Sequence, residues 1–410
     1  MYDKGLTAFM VIATSLVMLM TPGLSFFYGG LGNKKNILSI MMQSFVSLAL
    51  TTVIWISFGY SMCFSGNMAD GKDFFGIIGN FDKAFLHGVT AYTPFSAEKN
   101  FPEFIFIAYQ MMFAIITPAL ITGAFINRVT FKAYVIFLIL WQVFVYYPFV
   151  HMVWGGGLLA NWGVLDFAGG IPVHATAGFA ALASVYFVGK RIEKGEGPNN
   201  IPLVAIGTAL LWFGWYGFNA GSELDVDAIT AQSFLNTDVA ASFASVTWLL
   251  IEWNTGKKKP TFIGLMTGSV AGLATITPAA GYVSLGSAII IGIMAGIVCY
   301  LAVKFVTRKE WDDALDVWGV HGVGGVLGTI LLGFFASKNV NPHGADGLLY
   351  GGGFSFLLKQ LVAIVFAASW AFIFTVLMLK GINKFVPVKV RRIDERKGLD
   401  ISFHGEVARR

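Results

Sequence analysis

The sequence has few charged residues and few cysteines, and both shortages restrict what it can be. Charged residues make up 12% of the 410 positions, about half of the usual fraction in soluble proteins. Cysteine occurs twice, as Cys63 and Cys299, each in an apolar stretch. Two cysteines are too few for the disulfide framework of a small secreted domain. Hydrophobic residues, by contrast, fill 56% of the chain, which indicates a membrane protein.

Long apolar segments account for most of the chain. Eleven of them approach or exceed the roughly 20 residues that a helix needs to cross a bilayer. The chain also has 48 glycines, which let helices approach closely in lipid. We therefore predict an all-α polytopic membrane protein with eleven transmembrane helices. The predicted spans are 6–31, 37–62, 104–125, 133–153, 171–189, 201–221, 233–252, 262–280, 285–306, 318–336 and 354–380.

Basic residues are distributed unevenly between the two sets of segment ends. One set, together with the tail after the last segment, holds 22 of the 28 Lys and Arg residues. The positive-inside rule then places the N-terminus outside and the tail in the cytoplasm. We predict a transmembrane domain over 1–380 and a cytoplasmic C-terminal regulatory tail over 381–410. The positive charge reports topology and does not indicate nucleic-acid binding.

Two histidines lie inside apolar segments, His174 in the fifth and His321 in the tenth. A charged side chain at membrane depth costs about 3 kcal/mol or more, so such residues suggest function. Each neutral imidazole has one donor and one acceptor, and a pair can line a narrow path without fixing a charge there. Two satisfied core histidines are an equal alternative on composition alone. A metal site is not predicted, because the pattern offers no third ligand nearby.

Acidic residues precede both of these segments. Asp166 comes shortly before Pro172, where a carboxylate typically caps the first N–H groups of a helix. An indirect attraction for a cation is its second expected role. We expect Asp316 to begin the tenth segment in the same way, and Asp312 and Asp313 to be ordinary loop acids.

Trp154 opens the glycine-rich stretch 154–170, which is too short to span and is predicted to be an outer loop or a re-entrant cap. Ser222 ends the sixth segment at the same level. A ring beside a hydroxyl can hold a small cation, with about 0.5–2 kcal/mol for each cation–π contact. At helical spacing, aromatic residues usually belong to the core or to the interfacial belt.

The first ten segments form two groups of five, 1–5 and 6–10, which must have opposite orientations in the membrane. Asp166 precedes His174 on the predicted outer side, and Asp316 precedes His321 on the predicted inner side. This arrangement is typical of an inverted repeat that handles substrate near the midplane. The eleventh segment falls outside the repeat.

Several long motifs carry a resemblance to a known family. They are FFYGG at 26–30, HMVWGGGLLA at 151–160, DFAGG at 166–170, GWYGFNAGS at 214–222, TPAAGY at 277–282, DVWGVHGVGG at 316–325 and GLDISFHGE at 398–406. Together they resemble the ammonium transporter (Amt/Rh) family, bacterial Amt-type. The resemblance covers the whole chain apart from the outer loop at 65–102.

This resemblance implies a homotrimer with one pore per subunit and assigns roles to residues. Substrate binding at an outer cation site falls to Phe113, Trp154, Ser222 and Tyr109. A phenyl gate falls to Phe113 and Phe218, pore lining to His174, His321, Trp215 and Thr277, and support of the outer site to Asp166. Tyr109 replaces the phenylalanine of familiar bacterial members, so its hydroxyl is expected to add a contact.

The implied function is ammonium uptake across the plasma membrane, the inner membrane in a bacterium. Ammonium, or methylammonium as its analogue, is recruited outside and deprotonated, and ammonia passes the gate and the twin histidines, with a separate proton relay as an open question. The alternatives are a Rh-like ammonia or carbon dioxide channel and an ammonium sensor acting through a PII-class signalling partner. Membrane lipid is the other expected partner. Neither an enzyme nor a cofactor is indicated, because no nucleophile–base pair or metal cluster appears.

Overall fold

Eleven apolar helices form the bundle in the computed structural model, which describes residues 2–194, 197–255 and 258–408. Ten are long and apolar enough to cross a membrane, and the shorter Phe262–Ile276 is the eleventh. Within the described ranges there are isolated β-bridges but no β-strand. The prediction of an all-α polytopic membrane protein is confirmed.

The helices are labelled in chain order. They are α1 (Lys4–Leu31), α2 (Ile37–Phe64), α3 (Glu103–Phe125), α4 (131–154), α5 (Gly170–Val188), α6 (Ile201–Ala220), α7 (Ala228–Asn254), α8 (Phe262–Ile276), α9 (Leu285–Arg308), α10 (Trp318–Phe335) and α11 (Gly353–Asn383). A short helix, Leu158–Trp162, lies in the glycine-rich stretch after α4. We call the bundle end that carries the 65–102 loop the outer end and the opposite one the inner end.

Side-chain caps decide where several helices begin. The Asp3 carboxylate accepts from the N–H of Leu6 at 2.7 Å, and Asp227 forms a reciprocal capping box with Thr230. Such caps satisfy N–H groups that a helix cannot bond internally. The end of α8 is set differently. The helix stops at Ile276, four residues before the predicted boundary, close to Pro278, which has no backbone N–H with which to continue the helical hydrogen bonds.

The pattern of helix packing repeats between the two halves. Helix α2 packs on α3 as α7 packs on α8, and α3 packs on α5 as α8 packs on α10. Helix α1 lies against its counterpart α6. Both α5 and α10 also open with a π-helical segment, Gly170–Ala175 and Trp318–Gly322, each containing a histidine. These correspondences agree with the inverted repeat of helices 1–5 and 6–10.

The crossing of α5 over α10 depends on glycine. A Cβ added to Gly178 would lie 2.1 Å from the Cα of Gly322, which is backbone and cannot rotate away. Only a residue without a side chain fits there, as is common where membrane helices approach closely. This contact sets the two histidine-bearing segments side by side.

The chain after α11 packs on the inner end of the bundle. The Asp400 carboxylate accepts from the N–H groups of Leu38 at 3.1 Å and Ser39 at 2.8 Å, so the tail caps the start of α2. The Glu395 carboxylate accepts from the N–H of Ile192 at 2.6 Å, in the connection between α5 and α6. The tail is therefore in contact with the inner loops along its length.

Candidate functional site

Aromatic rings from three helices meet at the outer end of the bundle. The Phe113 ring of α3 and the Phe218 ring of α6 lie 4.2 Å apart between centroids, at an interplanar angle of 36°. Trp154, the last residue of α4, stands edge-on to Phe113, with 6.0 Å between centroids and an angle of 84°. The three rings therefore form one aromatic cluster, with the Phe113 ring in contact with both of the others.

Two hydroxyl groups lie beside these rings. The Ser222 Oγ donates to the carbonyl oxygen of Phe218 at 2.8 Å. The Tyr109 Oη lies 2.9 Å from the carbonyl oxygens of Gly217 and Phe218, and 3.2 Å from the Ser222 Oγ. When each hydroxyl donates its proton to a carbonyl, its lone pairs remain available as acceptors. Tyr109 is thereby anchored to the last turn of α6, a role that its sequence position does not reveal.

Asp166 holds the start of α5 by its side chain. One carboxylate oxygen accepts from the N–H groups of Gly169 at 2.8 Å and Gly170 at 2.9 Å, and the other from Ile171 at 2.6 Å. The expected cap is therefore present. Its main-chain carbonyl also accepts from the Trp154 Nε1 at 2.9 Å, which fixes the indole. Burial raises the pKa of Asp166 to about 6, while the hydrogen bonds from backbone N–H groups oppose that rise.

The two histidines lie together at the centre of the bundle. The His174 Nδ1 is 3.3 Å from the His321 Nδ1, and the ring centroids are 5.3 Å apart. One nitrogen of the pair therefore carries the proton and the other accepts it. The Nε2 atom of His174 is buried and has no hydrogen-bond partner within the described residues.

Trp215 and Thr277 extend this central group. The Trp215 ring stacks on His174, with 5.5 Å between centroids and an angle of 22°. Its Nε1 donates to the Thr277 Oγ1 at 2.9 Å, and Thr277 in turn donates to the carbonyl of Leu273 at 2.8 Å. The indole is thus held flat against the first imidazole. The structure thus brings His174, His321, Trp215 and Thr277 into one group of contacting side chains next to Phe218.

A narrow cavity follows the histidines. It has a volume of about 10 Å³ and is lined by His174, His321, Trp215 and Phe218, with apolar side chains over the rest of its wall. That volume is just enough for one water-sized molecule. His321 also lines a wider vestibule of about 240 Å³ towards the inner loops. The path is thus tight and apolar from the phenyl rings to His321 and open beyond it.

The acids before α10 differ from the prediction. The expectation that Asp316 caps this helix is wrong. The Asp313 carboxylate instead accepts from the N–H of Trp318 at 2.7 Å. Asp316 has φ 59°, in the left-handed region, and lines the inner vestibule. The cap comes from five residues before Trp318 because the chain must turn at Asp316 before the helix starts.

Asp312 was also expected to be an ordinary loop acid, and that is wrong as well. Arg191 donates to both of its carboxylate oxygens, through Nη2 at 2.7 Å and Nε at 3.0 Å. The fully buried Arg128 approaches it at 3.6 Å. These arginines hold the pKa of Asp312 below its usual value, against the effect of burial. Nothing in the sequence pairs these residues, because they lie on three separate inner connections.

Comparisons with known proteins agree in family and fold. The model of the Ammonium Transporter Family matches residues 8–409. The ammonium transporter of Bacillus subtilis is 44% identical over 408 residues, 99% of this chain and 98% of the relative. Ammonium transporter Amt1 of Archaeoglobus fulgidus is 43% identical over 409 residues, 99% of each chain.

Solved structures give the same result. The crystal structure of Candida albicans Mep2 superposes with a TM-score of 0.87 at 34% identity, covering 96% of this chain and 88% of that one. A structure described as a sensor Amt protein superposes with a TM-score of 0.87 at 30% identity, covering 97% of this chain and 98% of that one.

Proposed function

Because the chain belongs to the ammonium transporter family, we propose that it takes up ammonium from outside, releases a proton at the outer site, and conducts ammonia through the histidine-lined path. It is a multi-pass membrane protein for ammonium transport and not an enzyme. The observation that carries the detailed proposal is the column of Phe113, Phe218, His174 and His321, which leads from the outer hydroxyls to the inner vestibule.

The space between the Phe113 and Trp154 rings and the Tyr109 and Ser222 hydroxyls, which we call the outer chamber, suits a small cation with several N–H donors. The faces of aromatic rings attract cations, and the lone pairs of the Tyr109 and Ser222 hydroxyls accept hydrogen bonds. Ammonium and potassium are similar in size, so size does not separate them. Hydrogen bonds do, because ammonium is a donor and a bare metal ion is not. We assign substrate binding to Phe113, Trp154, Ser222 and Tyr109, with Asp166 in support.

Below the outer chamber, the free-energy cost of holding a charged molecule in the path becomes too high. Moving a bare cation into a narrow apolar path costs tens of kcal/mol in the Born limit. Loss of a proton removes that cost, and neutral ammonia passes between the Phe113 and Phe218 rings, which must separate because they lie 4.2 Å apart. Ammonia then meets the free Nε2 of His174. Proton transfer along the two imidazoles would make transport electrogenic.

The environment of the Asp166 carboxylate supports capture of a cation more than passage of a neutral gas. Asp166, whose main-chain carbonyl accepts from the Trp154 indole, has no Lys or Arg in ion-pair contact among the described residues. A Rh-like channel for ammonia or carbon dioxide has no need of such a trap. We further propose the plasma membrane as the location, an outside N-terminus, a cytoplasmic 381–410 tail and a homotrimer with one path per subunit.

The experiment compares charge movement with labelled methylammonium flux in vesicles. We expect wild-type protein to give both, and His174→Ala to change current and flux unequally, because the relay and the path share that ring. His87→Ala is the matched control, since His87 is exposed on the outer loop. A wild type that moves label with no charge and no dependence on membrane potential contradicts the electrogenic version.

A second function, sensing, is favoured by one observation. The tail contacts the start of α2 through Asp400 and the α5–α6 connection through Glu395. A partner that binds the tail could therefore act on the bundle through these contacts. We propose a PII-class signalling protein as that partner. Deleting residues after Lys389 is expected to abolish pull-down of a PII-class protein, and persistent pull-down contradicts the idea.

A further inference from the structure

The last part of the outer loop, residues 93–103, is fastened to helices that build the outer chamber. The N–H of Glu103, at the start of α3, donates to the carbonyl of Thr93 at 2.8 Å. The Phe95 ring stacks on Phe106 of α3 with 4.0 Å between centroids. The N–H of Asp3, before α1, donates to the carbonyl of Asn100 at 3.0 Å. We call this segment the outer strap.

The strap carries a lysine to the end of α6. The Lys99 Nζ donates to the main-chain carbonyl of Glu223 and lies 3.4 Å from its Oε1. The Glu223 side chain is 11% exposed and the Lys99 side chain 29%. Glu223 directly follows Ser222 in the turn Gly221–Glu223, which ends α6. A primary ammonium group is therefore bound one residue away from the hydroxyl that we assign to the substrate.

Lys99 lies at the C-terminal end of α6, where the electrostatic potential is negative and favours cations. The last carbonyls of a helix lack internal partners and carry roughly half a negative charge between them. Two of these carbonyls, of Gly217 and Phe218, are bonded by the Tyr109 and Ser222 hydroxyls. The Glu223 carbonyl and carboxylate are bonded by Lys99. The positive charge of Lys99 thus offsets negative charge at the C-terminal end of α6, next to the proposed substrate site.

We propose that Lys99 sets the cation affinity of the outer site, acting as a tethered alkylammonium that neutralises Glu223 at the mouth of the path. The proposal rests on the proposed ammonium uptake and adds a positioning residue to it. Asp225 and Asp227 also lie close enough to act on Glu223, so removal of the lysine leaves three neighbouring carboxylates without an ion pair among the described residues. Lys99 keeps affinity lower than the helix end and these acids alone would give.

The test measures the half-saturation constant and maximal rate of methylammonium uptake at low and high salt. Lys99→Met is expected to lower the half-saturation constant by about three- to tenfold at low salt, because the mouth becomes more negative. The difference shrinks at high salt, since exposed charges are screened within about 10 Å at 0.1 M. Glu223→Gln is expected to raise the constant, because the lysine then stands uncompensated. The double variant is expected to return close to wild type.

Lys83→Met is the matched control. Lys83 also belongs to the outer loop and pairs with a glutamate, Glu103, at 2.5 Å, and among the described residues its ammonium group has hydrogen-bond, ion-pair and ring contacts only with Glu103 and Tyr60. Lys83→Met is expected to leave the salt dependence of the half-saturation constant unchanged. If Lys99→Met and Glu223→Gln both lower uptake by the same factor at every salt concentration, the strap only stabilises structure and the inference is wrong. If wild-type protein moves no label, uptake itself fails, which is a separate result.

Discussion

Helices α5 and α10 are built alike and differ at the acids that precede them. Each opens with a π-helical segment that carries a histidine, and the two cross at Gly178 and Gly322. Before α5, the Asp166 carboxylate is satisfied by three backbone N–H groups. Before α10, Asp312 is held by Arg191 and approached by the buried Arg128. Asp313, the cap of α10, is satisfied by a backbone N–H as Asp166 is, so the difference between the ends is the additional Asp312, which is paired with arginine.

The difference between the partners of Asp166 and Asp312 suggests a direction for cation transport. A carboxylate held by N–H dipoles remains attractive to a cation, because the dipoles spread the charge without cancelling it. The Asp312 carboxylate accepts hydrogen bonds from Arg191, and Arg128 donates to the main-chain carbonyl of the same residue at 2.8 Å. Such a paired carboxylate offers little to an arriving cation and ties the inner connections together. We infer that a pseudo-symmetric pair of helices gives one capturing end and one releasing end through these local partners alone.

The strongest test of the shared construction is Gly178→Ala. The new Cβ would lie 2.1 Å from the Gly322 Cα, so the helices must separate, at a cost of about 1–3 kcal/mol or more. We expect methylammonium uptake to fall to background and the thermal unfolding temperature to drop. Gly322→Ala is expected to be milder, since its nearest contacts are at 3.0 and 3.2 Å.

Gly381→Ala is the control for that pair. It lies near the inner end of α11, where an added Cβ meets nothing within 4 Å. Alanine is favoured over glycine in a helix by up to about 1 kcal/mol, so a slight stabilisation is expected. Wild-type uptake in Gly178→Ala would show that the two histidine segments need no close contact.

The next largest effect distinguishes the two ends. Asp166→Asn removes the negative charge and one of the two acceptor oxygens, which leaves at least one buried N–H without a partner, at a cost of about 1–3 kcal/mol. We expect the half-saturation constant for methylammonium to rise about tenfold or more. Asp313→Asn, which alters the cap of α10, is expected to change that constant by less than about threefold. Equal changes of the half-saturation constant in Asp166→Asn and Asp313→Asn would contradict the inferred difference between the outer and inner ends.

A smaller effect concerns pH. The pKa of Asp166 is raised to about 6, so its carboxylate is charged above that pH and takes up a proton below it. Methylammonium stays a cation throughout, and its attraction to the outer chamber therefore weakens as the external pH falls through about 6. We expect the half-saturation constant to rise severalfold over that range. The same titration of Asp166→Asn is expected to be flat, and an identical slope in the variant would assign the effect to another group.

The smallest effect on affinity is expected for Arg191→Gln. The substitution breaks the two-pronged contact with Asp312, and loss of one partner of a buried pair typically destabilises by about 3–5 kcal/mol. Thermal stability is expected to fall while the half-saturation constant stays within about twofold of wild type. A large change in affinity would mean that the inner charges also act on the arriving cation.

The sequence was most informative where the physical signal was local. Apolar length located the helices, and a polar side chain in an apolar segment pointed to His174 and His321, which lie together in the structure. Asp166 was placed at a helix start because capping needs only short-range spacing. These features can be recognised without knowing which helices are neighbours.

Features that depend on tertiary contacts were missed. A π-helical segment leaves no mark on hydropathy, because it changes which carbonyl each N–H bonds and not which residues are apolar. The partners of Asp312 lie on other connections. The hydroxyl of Tyr109 was expected to add a contact at the outer site, which stays a prediction, and its bonds to the carbonyls of Gly217 and Phe218 could not be predicted because they depend on how α3 meets α6. Asp313 was passed over because the turn at Asp316 shifts the cap.

The cap that Asp400 gives to α2 has a practical consequence for how the tail is studied. Shortening the chain before this residue removes the hydrogen-bond acceptors of the Leu38 and Ser39 N–H groups, so the first turn of a membrane helix is destabilised together with the loss of the surface that we propose a partner binds. A truncation phenotype then mixes two causes. A charge-reversed tail that retains its aspartate would separate signalling from folding.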